Sequence, residues 1–102
     1  MTKNIIDSSL KKGKAKGCLI IANDRGLHTR PSTEIVKCAS NFKAEIKLIY
    51  QKKEVNAKSV LGILMLAAPK GAKIAIVATG EDAEASVKAL EELSLRQFNI
   101  SY

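Results

Sequence analysis

Two periodicities of hydrophobic residues run along the chain and predict strands and helices in turn. Residues 17–22 form a short apolar run that is ended by the turn-forming residues 23–26, which predicts a buried strand and a loop. From Ile35 onward, apolar residues recur with helical spacing at i, i+4 and i+7. Because proline is tolerated in the first turn of a helix, Pro31 indicates that this helix starts at one of the three residues after His28.

The middle of the chain predicts a hairpin followed by a short helix. Residues 44–50 alternate between polar and apolar positions, as a half-buried strand does. Residues 51–53 form the turn, and residues 54–56 pair back as a brief second strand. Ser59 precedes the apolar run 60–66, which is rich in leucine and methionine. A serine in that place signals the start of a helix.

The last part of the chain predicts one more strand and one more helix. Residues 73–79 alternate again, and residues 80–82 open a helix whose apolar positions keep helical spacing from Ala83 to Leu93. The predicted order is strand, helix, strand, strand, helix, strand, helix. This order is typical of an α+β fold with three helices on one face of a mostly antiparallel four-stranded sheet. Acidic residues suit the positive end of the last helix: Glu81, Asp82 and Glu84.

Length and composition exclude several classes of protein. A chain of 102 residues makes one domain, and 46% apolar with 26% charged residues excludes wholesale disorder. No apolar run reaches the ~18 residues of a membrane span, and the apolar pair at residues 5–6 is followed at once by polar residues, unlike a secretory signal. We therefore expect a cytoplasmic protein without membrane contact, in which Cys18 and Cys38 are small buried residues.

The net charge of +7 is concentrated near the start of the chain. Residues 1–16 hold five lysines and one aspartate, a surplus of +4, so the remainder carries only +3. We interpret residues 1–16 as a flexible basic extension, residues 17–94 as the folded domain and residues 95–102 as a tail. The extension serves solubility, or it attracts an acidic protein or RNA. Aromatic residues make up only 4% of the chain, which disfavours a base-stacking nucleic-acid module.

The one histidine of the chain, His28, lies just before a predicted helix start. The first amides of a helix have no partner within it and the helix dipole attracts anions, so a phosphate is well placed there. Arg30 offers charge-assisted donors to phosphate oxygens, and an imidazole nitrogen is a nucleophile that can accept a phosphoryl group. Taken alone, a histidine in a loop is more often a solvated or capping residue than a phosphoryl acceptor.

Three segments, in order and with matching spacing, resemble the HPr family, the histidine-containing phosphocarriers of the bacterial phosphoenolpyruvate-dependent sugar phosphotransferase system. Residues 26–32 (GLHTRPS) resemble its phosphorylation motif, residues 56–64 (NAKSVLGIL) its regulatory serine segment, and residues 70–85 its last strand and helix. The resemblance covers residues 17–93 and implies an HPr-like open-faced sandwich. It also implies a carrier that forms a covalent phosphohistidine without turnover of its own, and that needs no cofactor or metal.

The resemblance further implies roles and partners. His28 accepts a phosphoryl group at Nδ1 from phosphorylated Enzyme I and passes it to IIA domains of sugar permeases, while Arg30 stabilises the phosphohistidine. We expect a monomer that binds no nucleic acid. By helix angle, either Ile63 with Leu66 or Leu61 with Leu64 faces the solvent, and the family uses this helix beside the histidine for docking. The implied docking residues are Val60, Leu61 and Leu64, with Thr29, Arg25, Arg30 and Lys58 as a polar, cationic rim.

Ser59 supports a second hypothesis. As a helix cap it needs no further role, since a capping serine contributes about 1 kcal/mol. In many HPr proteins, however, the matching serine is phosphorylated by HPr kinase/phosphorylase, and a dianion here would oppose transfer to His28. One alternative function is therefore a regulatory adaptor controlled at Ser59, with little or no sugar transport. A small RNA-binding module is another, which the basic extension supports weakly.

Two residues of the phosphorylation segment depart from the family pattern. Arg25 stands where a smaller or neutral residue is frequent, and the extra cation would strengthen phosphate retention or alter partner choice. Ser32 stands where alanine is common, and its hydroxyl would add a hydrogen bond near the helix start. Neither departure removes a reacting group.

Overall fold

A computed structural model describes residues 13–99 of the chain. The elements follow the predicted order of strand, helix, strand, strand, helix, strand and helix, and a short 3-10 turn comes last. None of the described helices is long and apolar enough to cross a membrane. The elements are β1 (Lys14–Ile20), α1 (Thr29–Ala39), β2 (Glu45–Tyr50), β3 (Lys53–Asn56), α2 (Val60–Leu64), β4 (Lys73–Thr79), α3 (Ala83–Leu95) and the C-terminal turn (Gln97–Asn99).

The four strands form one antiparallel sheet in the order β1-β4-β2-β3. Residues on one face of the sheet are buried and form the core with the inner faces of the helices, so the predicted α+β open-faced sandwich is confirmed. Every second residue of the central strand β4 is buried, as the alternation predicted. The sheet contributes Leu19, Ile46, Leu48, Ile74, Ile76 and Ala78 to the core, and the helices contribute Ile35, Ile63, Val87 and Leu90.

Strand β1 begins at Lys14, three residues before the start that the sequence predicted. Lys14 and Lys16 pair with Thr79 and Val77 of β4 and expose their side chains, while Ala15 between them packs against the core. Lysines are common on sheet edges because charge discourages pairing with another chain. Such a strand carries no apolar signal, so residues 14–16 were wrongly assigned to the flexible extension. The rest of that extension, residues 1–12, lies outside the described residues.

Helix α3 lies unusually close to the edge strand. A Cβ atom on Gly17 would lie 2.5 Å from Val87 Cγ1 and closer still to the carboxylate of Glu91, so only glycine fits without moving these two side chains. The same carboxylate accepts a hydrogen bond from the backbone amide of Cys18 at 3.0 Å. Helix α3 thereby satisfies an amide that the edge strand cannot pair within the sheet.

Asp82 has a second task besides the one predicted. It occupies the N-cap position of α3 but makes no side-chain capping bond there. Its carboxylate instead accepts hydrogen bonds from the backbone amides of Lys43 and Ala44, both at 2.8 Å. The Lys43 amide is the main reason that the pKa of Asp82 lies below its ordinary value. Asp82 therefore ties the start of α3 to the segment that enters β2.

The C-terminal turn packs on the folded domain, whereas the sequence predicts a tail from residue 95 onward. Its three residues have positive φ values of 53°, 57° and 59°. Phe98 in its centre is fully buried and the turn packs against both α1 and α3. Leu95 ends α3 and exposes its side chain, and residues 100–102 lie outside the described residues.

The two cysteines are half-buried, not buried as predicted. Burial raises the pKa of the Cys38 thiol above its ordinary value, and the nearby charge of Arg96 opposes part of that rise. Cys18 lies on the edge strand and Cys38 on α1, and both are free thiols.

Candidate functional site

The loop between β1 and α1 is fixed by its own backbone and by one neighbouring segment. The Gly26 amide donates to the carbonyl of Asn23 at 2.9 Å, and the Leu27 amide donates to the carbonyl of Ala68 at 2.8 Å. Gly26 has φ +70°, and a Cβ atom there would lie 2.6 Å from the Ala68 oxygen. Only glycine allows this turn and this approach. Gly26 thus sets the course of the chain two residues before His28.

His28 is the N-cap residue of α1, as the position of Pro31 predicted. Its backbone is extended, with φ −101° and ψ −164°. The first bond of the helix runs from the Ser32 amide to the His28 carbonyl at 3.0 Å, so the amides of Thr29 and Arg30 precede it. These two amides and the helix dipole favour an anion beside His28.

Ser32 provides the hydrogen bond that its position suggested, and the acceptor lies within the protein. The hydroxyl is fully buried and donates to the His28 carbonyl at 2.7 Å. The same carbonyl thus accepts from both the amide and the hydroxyl of Ser32. Ser32 holds the backbone of the histidine and does not face a ligand.

The surroundings of His28 are cationic. His28 is half-buried, while Thr29, Arg30 and Arg25 are exposed and accessible to a partner. The acidic residue beside Arg25 is Asp24, whose carboxylate accepts a 2.9 Å hydrogen bond from Lys70 that lowers its pKa. Two arginines therefore flank the histidine in sequence, and the nearest carboxylate in the loop has a lysine as its partner.

Ser59 is the N-cap of α2, as predicted. Its Oγ accepts a hydrogen bond from the Gly62 amide at 3.0 Å, and its backbone is extended. A Cβ atom on Gly62 would lie only 3.3 Å from that oxygen, so glycine allows the close approach. Ser59 is half-buried, and its helix packs against α1, the helix that His28 begins.

Helix α2 exposes one of the two sides that its helical angles left open, and it is the side of Leu61, which the family resemblance implies for docking. Ile63 is fully buried, and Leu66 just after the helix is 1% exposed. Leu61 is 69% exposed and Met65 is 66% exposed, while Val60 and Leu64 are half-buried. Sequence reasoning missed Met65, although it lies four residues after Leu61 and hence on the same side. We call the exposed apolar group the α2 patch: Val60, Leu61, Leu64 and Met65.

Lys58, one of the predicted rim residues, makes two hydrogen bonds within the fold. Its ammonium group donates to the carbonyl of Phe42 at 2.7 Å, and its backbone amide donates to the Asn56 side chain at 2.8 Å. Both bonds hold the start of α2 against neighbouring segments. The ammonium group of Lys58 is therefore held in place by the fold, whereas the side chains of Arg25 and Arg30 are exposed.

Comparisons with known proteins agree with the segments identified in the sequence. A family model described as "PTS HPr component phosphorylation site" matches residues 15–94. The phosphocarrier protein HPr of Xylella fastidiosa (strain 9a5c) is 40% identical over 81 residues, which are 79% of this chain and 91% of the relative. The described residues contain no cluster of three or more histidine, cysteine or acidic residues that could hold a metal ion.

Solved structures share the fold. An HPr from Thermoanaerobacter tengcongensis superposes with a TM-score of 0.80 and 35% identity, covering 86% of this chain and 99% of that one. A structure described as an HPr dimer from the same organism has a TM-score of 0.67 and 40% identity, covering 76% of this chain and 90% of that one.

Proposed function

Because this chain belongs to the HPr family of phosphocarrier proteins, we propose that His28 accepts a phosphoryl group from phosphorylated Enzyme I and passes it to IIA domains of sugar permeases. The observation that supports this most is the placement of the one histidine at the N-cap of α1. Three hydrogen-bond donors follow His28 directly in the chain and can donate to the oxygens of a phosphoryl group on it: the amides of Thr29 and Arg30 and the Arg30 guanidinium.

The transfer needs one bond to form and one to break. The lone pair on Nδ1 of His28 attacks phosphorus, and the bond between phosphorus and the donor breaks with its electron pair. On delivery, the bond to Nδ1 breaks and the acceptor takes the phosphoryl group. The protein contributes position and positive charge, because the energy of the bond comes from the phosphoryl donor. Ser32 supports this by holding the His28 carbonyl.

We propose the α2 patch as the docking surface for Enzyme I and the IIA domains. Leu61 and Met65 are exposed on the helix that packs against α1, which carries His28 at its start. Exposed apolar side chains in a group are typical of an interface. Thr29 and the two arginines, Arg25 and Arg30, give this surface a positive rim that steers acidic partners and permits rapid exchange.

Ser59 is the proposed regulatory site, with HPr kinase/phosphorylase as the enzyme that modifies it. Its hydroxyl lies at the start of α2, next to the α2 patch. A phosphate there would add about two negative charges to the surface that is proposed to receive acidic partners. Phosphorylation of Ser59 would therefore slow the transfer to His28. A protein that acted only as an adaptor through Ser59 would have no need of His28.

The mass of the intact protein tests the carrier function directly. Wild type and His28→Ala are incubated with phosphoenolpyruvate and Enzyme I. The mass of each intact protein is then measured before and after treatment with mild acid. One acid-labile phosphoryl group on wild type and none on His28→Ala is the expected result. An Enzyme I that phosphorylates another HPr but not this chain would refute the carrier function, and incubation with ATP and the kinase would then test the adaptor.

We further propose that the protein works as a monomer in the cytoplasm. The α2 patch must be free for two different partners in turn, which a permanent dimer through that surface would prevent. Because a related HPr is described as a dimer, light scattering at working concentration is the appropriate measurement. A stable dimer whose Leu61 is protected from solvent would contradict the proposal.

A further inference from the structure

The C-terminal turn makes hydrogen bonds to the segment before His28 and to the helix after it. Before the histidine, the side-chain amide of Asn23 donates to the carbonyl of Gln97 at 3.3 Å. After it, the side-chain amide of Asn99 donates to Glu34 Oε1 on α1 at 3.4 Å. These bonds join residues that are 74 and 65 positions apart in the chain. The end of the domain thus contacts the loop that leads to His28 and the helix that follows it.

The turn is strained and firmly anchored. Gln97, Phe98 and Asn99 all lie in the left-handed region, with φ between 53° and 59°. This region is unfavourable for residues other than glycine and persists only where the surroundings impose it. Here the anchor is Phe98, which is fully buried between α1 and α3. The turn is therefore a rigid support for the segments that it contacts. Its backbone could leave the left-handed region only if the Phe98 ring left the core.

The buried side chain of Asn23 contains an atom that lowers the free energy of unfolding. It is only 2% exposed, and its Oδ1 has no hydrogen-bond partner among residues 13–99. A buried polar atom without a partner destabilises a fold and calls for an explanation other than stability. Asn23 also accepts the Gly26 amide through its backbone carbonyl, at 2.9 Å. Its position therefore decides the geometry of the turn that leads into His28.

We propose that these groups form a clasp, made by Asn23, Gln97, Phe98, Asn99 and Glu34, that positions the phosphorylation loop. In this arrangement Asn23 and Asn99 are positioning residues for the transfer at His28, so the inference rests on the function proposed above. The clasp places the histidine and the first helical amides in one fixed geometry. A small displacement of a reacting group lowers the rate of transfer far more than it changes the stability of the fold.

The test compares Asn23→Ala with the control Ser86→Ala. Ser86 is fully buried and its hydroxyl donates to the Ala83 carbonyl at 2.7 Å, so the control loses one buried bond within α3. The kcat/KM for transfer from phosphorylated Enzyme I is measured well below both unfolding midpoints. We expect roughly a 10-fold loss for Asn23→Ala and less than about 2-fold for Ser86→Ala. Equal losses in the two variants would overturn the clasp.

Asn99→Gly gives a second test in case Asn23→Ala does not fold. Glycine adopts the positive φ of this position readily, and the change removes the two side-chain bonds of Asn99, to Glu34 on α1 and from Arg96 just before the turn. We expect this variant to unfold like wild type and to transfer about 3-fold more slowly. A wild-type rate in Asn99→Gly would show that the helix side of the clasp has no effect on transfer.

Hydrogen exchange separates the clasp from the carrier function. We expect the amides of Gly26 and His28 to exchange about 10-fold faster in Asn23→Ala and at the wild-type rate in Ser86→Ala. This measurement needs no Enzyme I. If wild type accepted no phosphoryl group, the proposed function would fail while exchange still decided the clasp. Unchanged exchange in Asn23→Ala would overturn the clasp even if transfer were slower.

Discussion

Two neighbouring side chains of α2 should separate partner binding from stability. Leu61 is 69% exposed, whereas Ile63, two residues later, is fully buried. Complete burial of a leucine is worth about 1.5–3 kcal/mol, so covering the exposed part of Leu61 under a partner would contribute roughly 1–2 kcal/mol. At a factor of ten for each 1.4 kcal/mol, Leu61→Ala should raise the KM for this protein by about 5- to 30-fold. The kcat should stay unchanged, because Leu61 does not touch the reacting atoms.

Leu61→Ala and Ile63→Ala should lower the free energy of unfolding by very different amounts. About a third of Leu61 is already buried in the free protein. Leu61→Ala loses only the burial of that part, which lowers the free energy of unfolding by about 0.5–1 kcal/mol. Ile63→Ala leaves a cavity in the core and should lower it by roughly 2–5 kcal/mol. Urea unfolding and the kinetics of transfer from phosphorylated Enzyme I give the two readouts. An unchanged KM for Leu61→Ala, with the protein folded, would refute the docking surface.

Three further changes test single contacts. Gly26→Ala should lower the free energy of unfolding by about 1–3 kcal/mol, because the positive φ and the carbonyl of Ala68 leave no room for a methyl group; an unchanged urea midpoint would contradict this. The pKa of Asp82 is lowered in the folded state, so its ionised form stabilises the fold above its ordinary pKa of 3.8 and this contribution is lost as the pH falls through the lower, folded value. The stability advantage of wild type over Asp82→Asn should therefore be constant near neutral pH and shrink in acid, and a difference that grew in acid would be the contrary result. Ser59→Ala loses the hydrogen bond from the Gly62 amide, which should lower the free energy of unfolding by about 1 kcal/mol. Ser59→Asp keeps an N-cap side chain, so its free energy of unfolding should be close to that of wild type.

Local signals in the sequence were enough where an element is decided by its own residues. Pro31 placed the start of α1, Ser59 placed the start of α2, and the alternation over residues 73–79 gave β4 its bounds. For α2, the helical angles divided the apolar residues into two opposite pairs, and the structure shows that Ile63 and Leu66 are the pair that faces the core.

The failures involve contacts between segments distant in sequence. Lys14 becomes part of a strand only because it pairs with Thr79, and no neighbour along the chain reveals this. The sequence likewise does not reveal that the carbonyl of Phe42 accepts a hydrogen bond from the ammonium group of Lys58. The burial of Phe98 depends on three left-handed residues in succession, which residue preferences disfavour and which only packing between two helices enforces.

The close approach of α3 to β1 has a consequence for the behaviour of concentrated solutions. An exposed edge strand is a template on which another molecule can add a strand, and continued addition produces aggregates. Here the Glu91 carboxylate already occupies the Cys18 amide, and Gly17 lets the helix come near enough for it to do so. A second copy would have to displace that carboxylate and place its own strand beside the exposed charges of Lys14 and Lys16. The lysines that concealed this strand in the sequence thus protect the folded protein from stacking edge to edge.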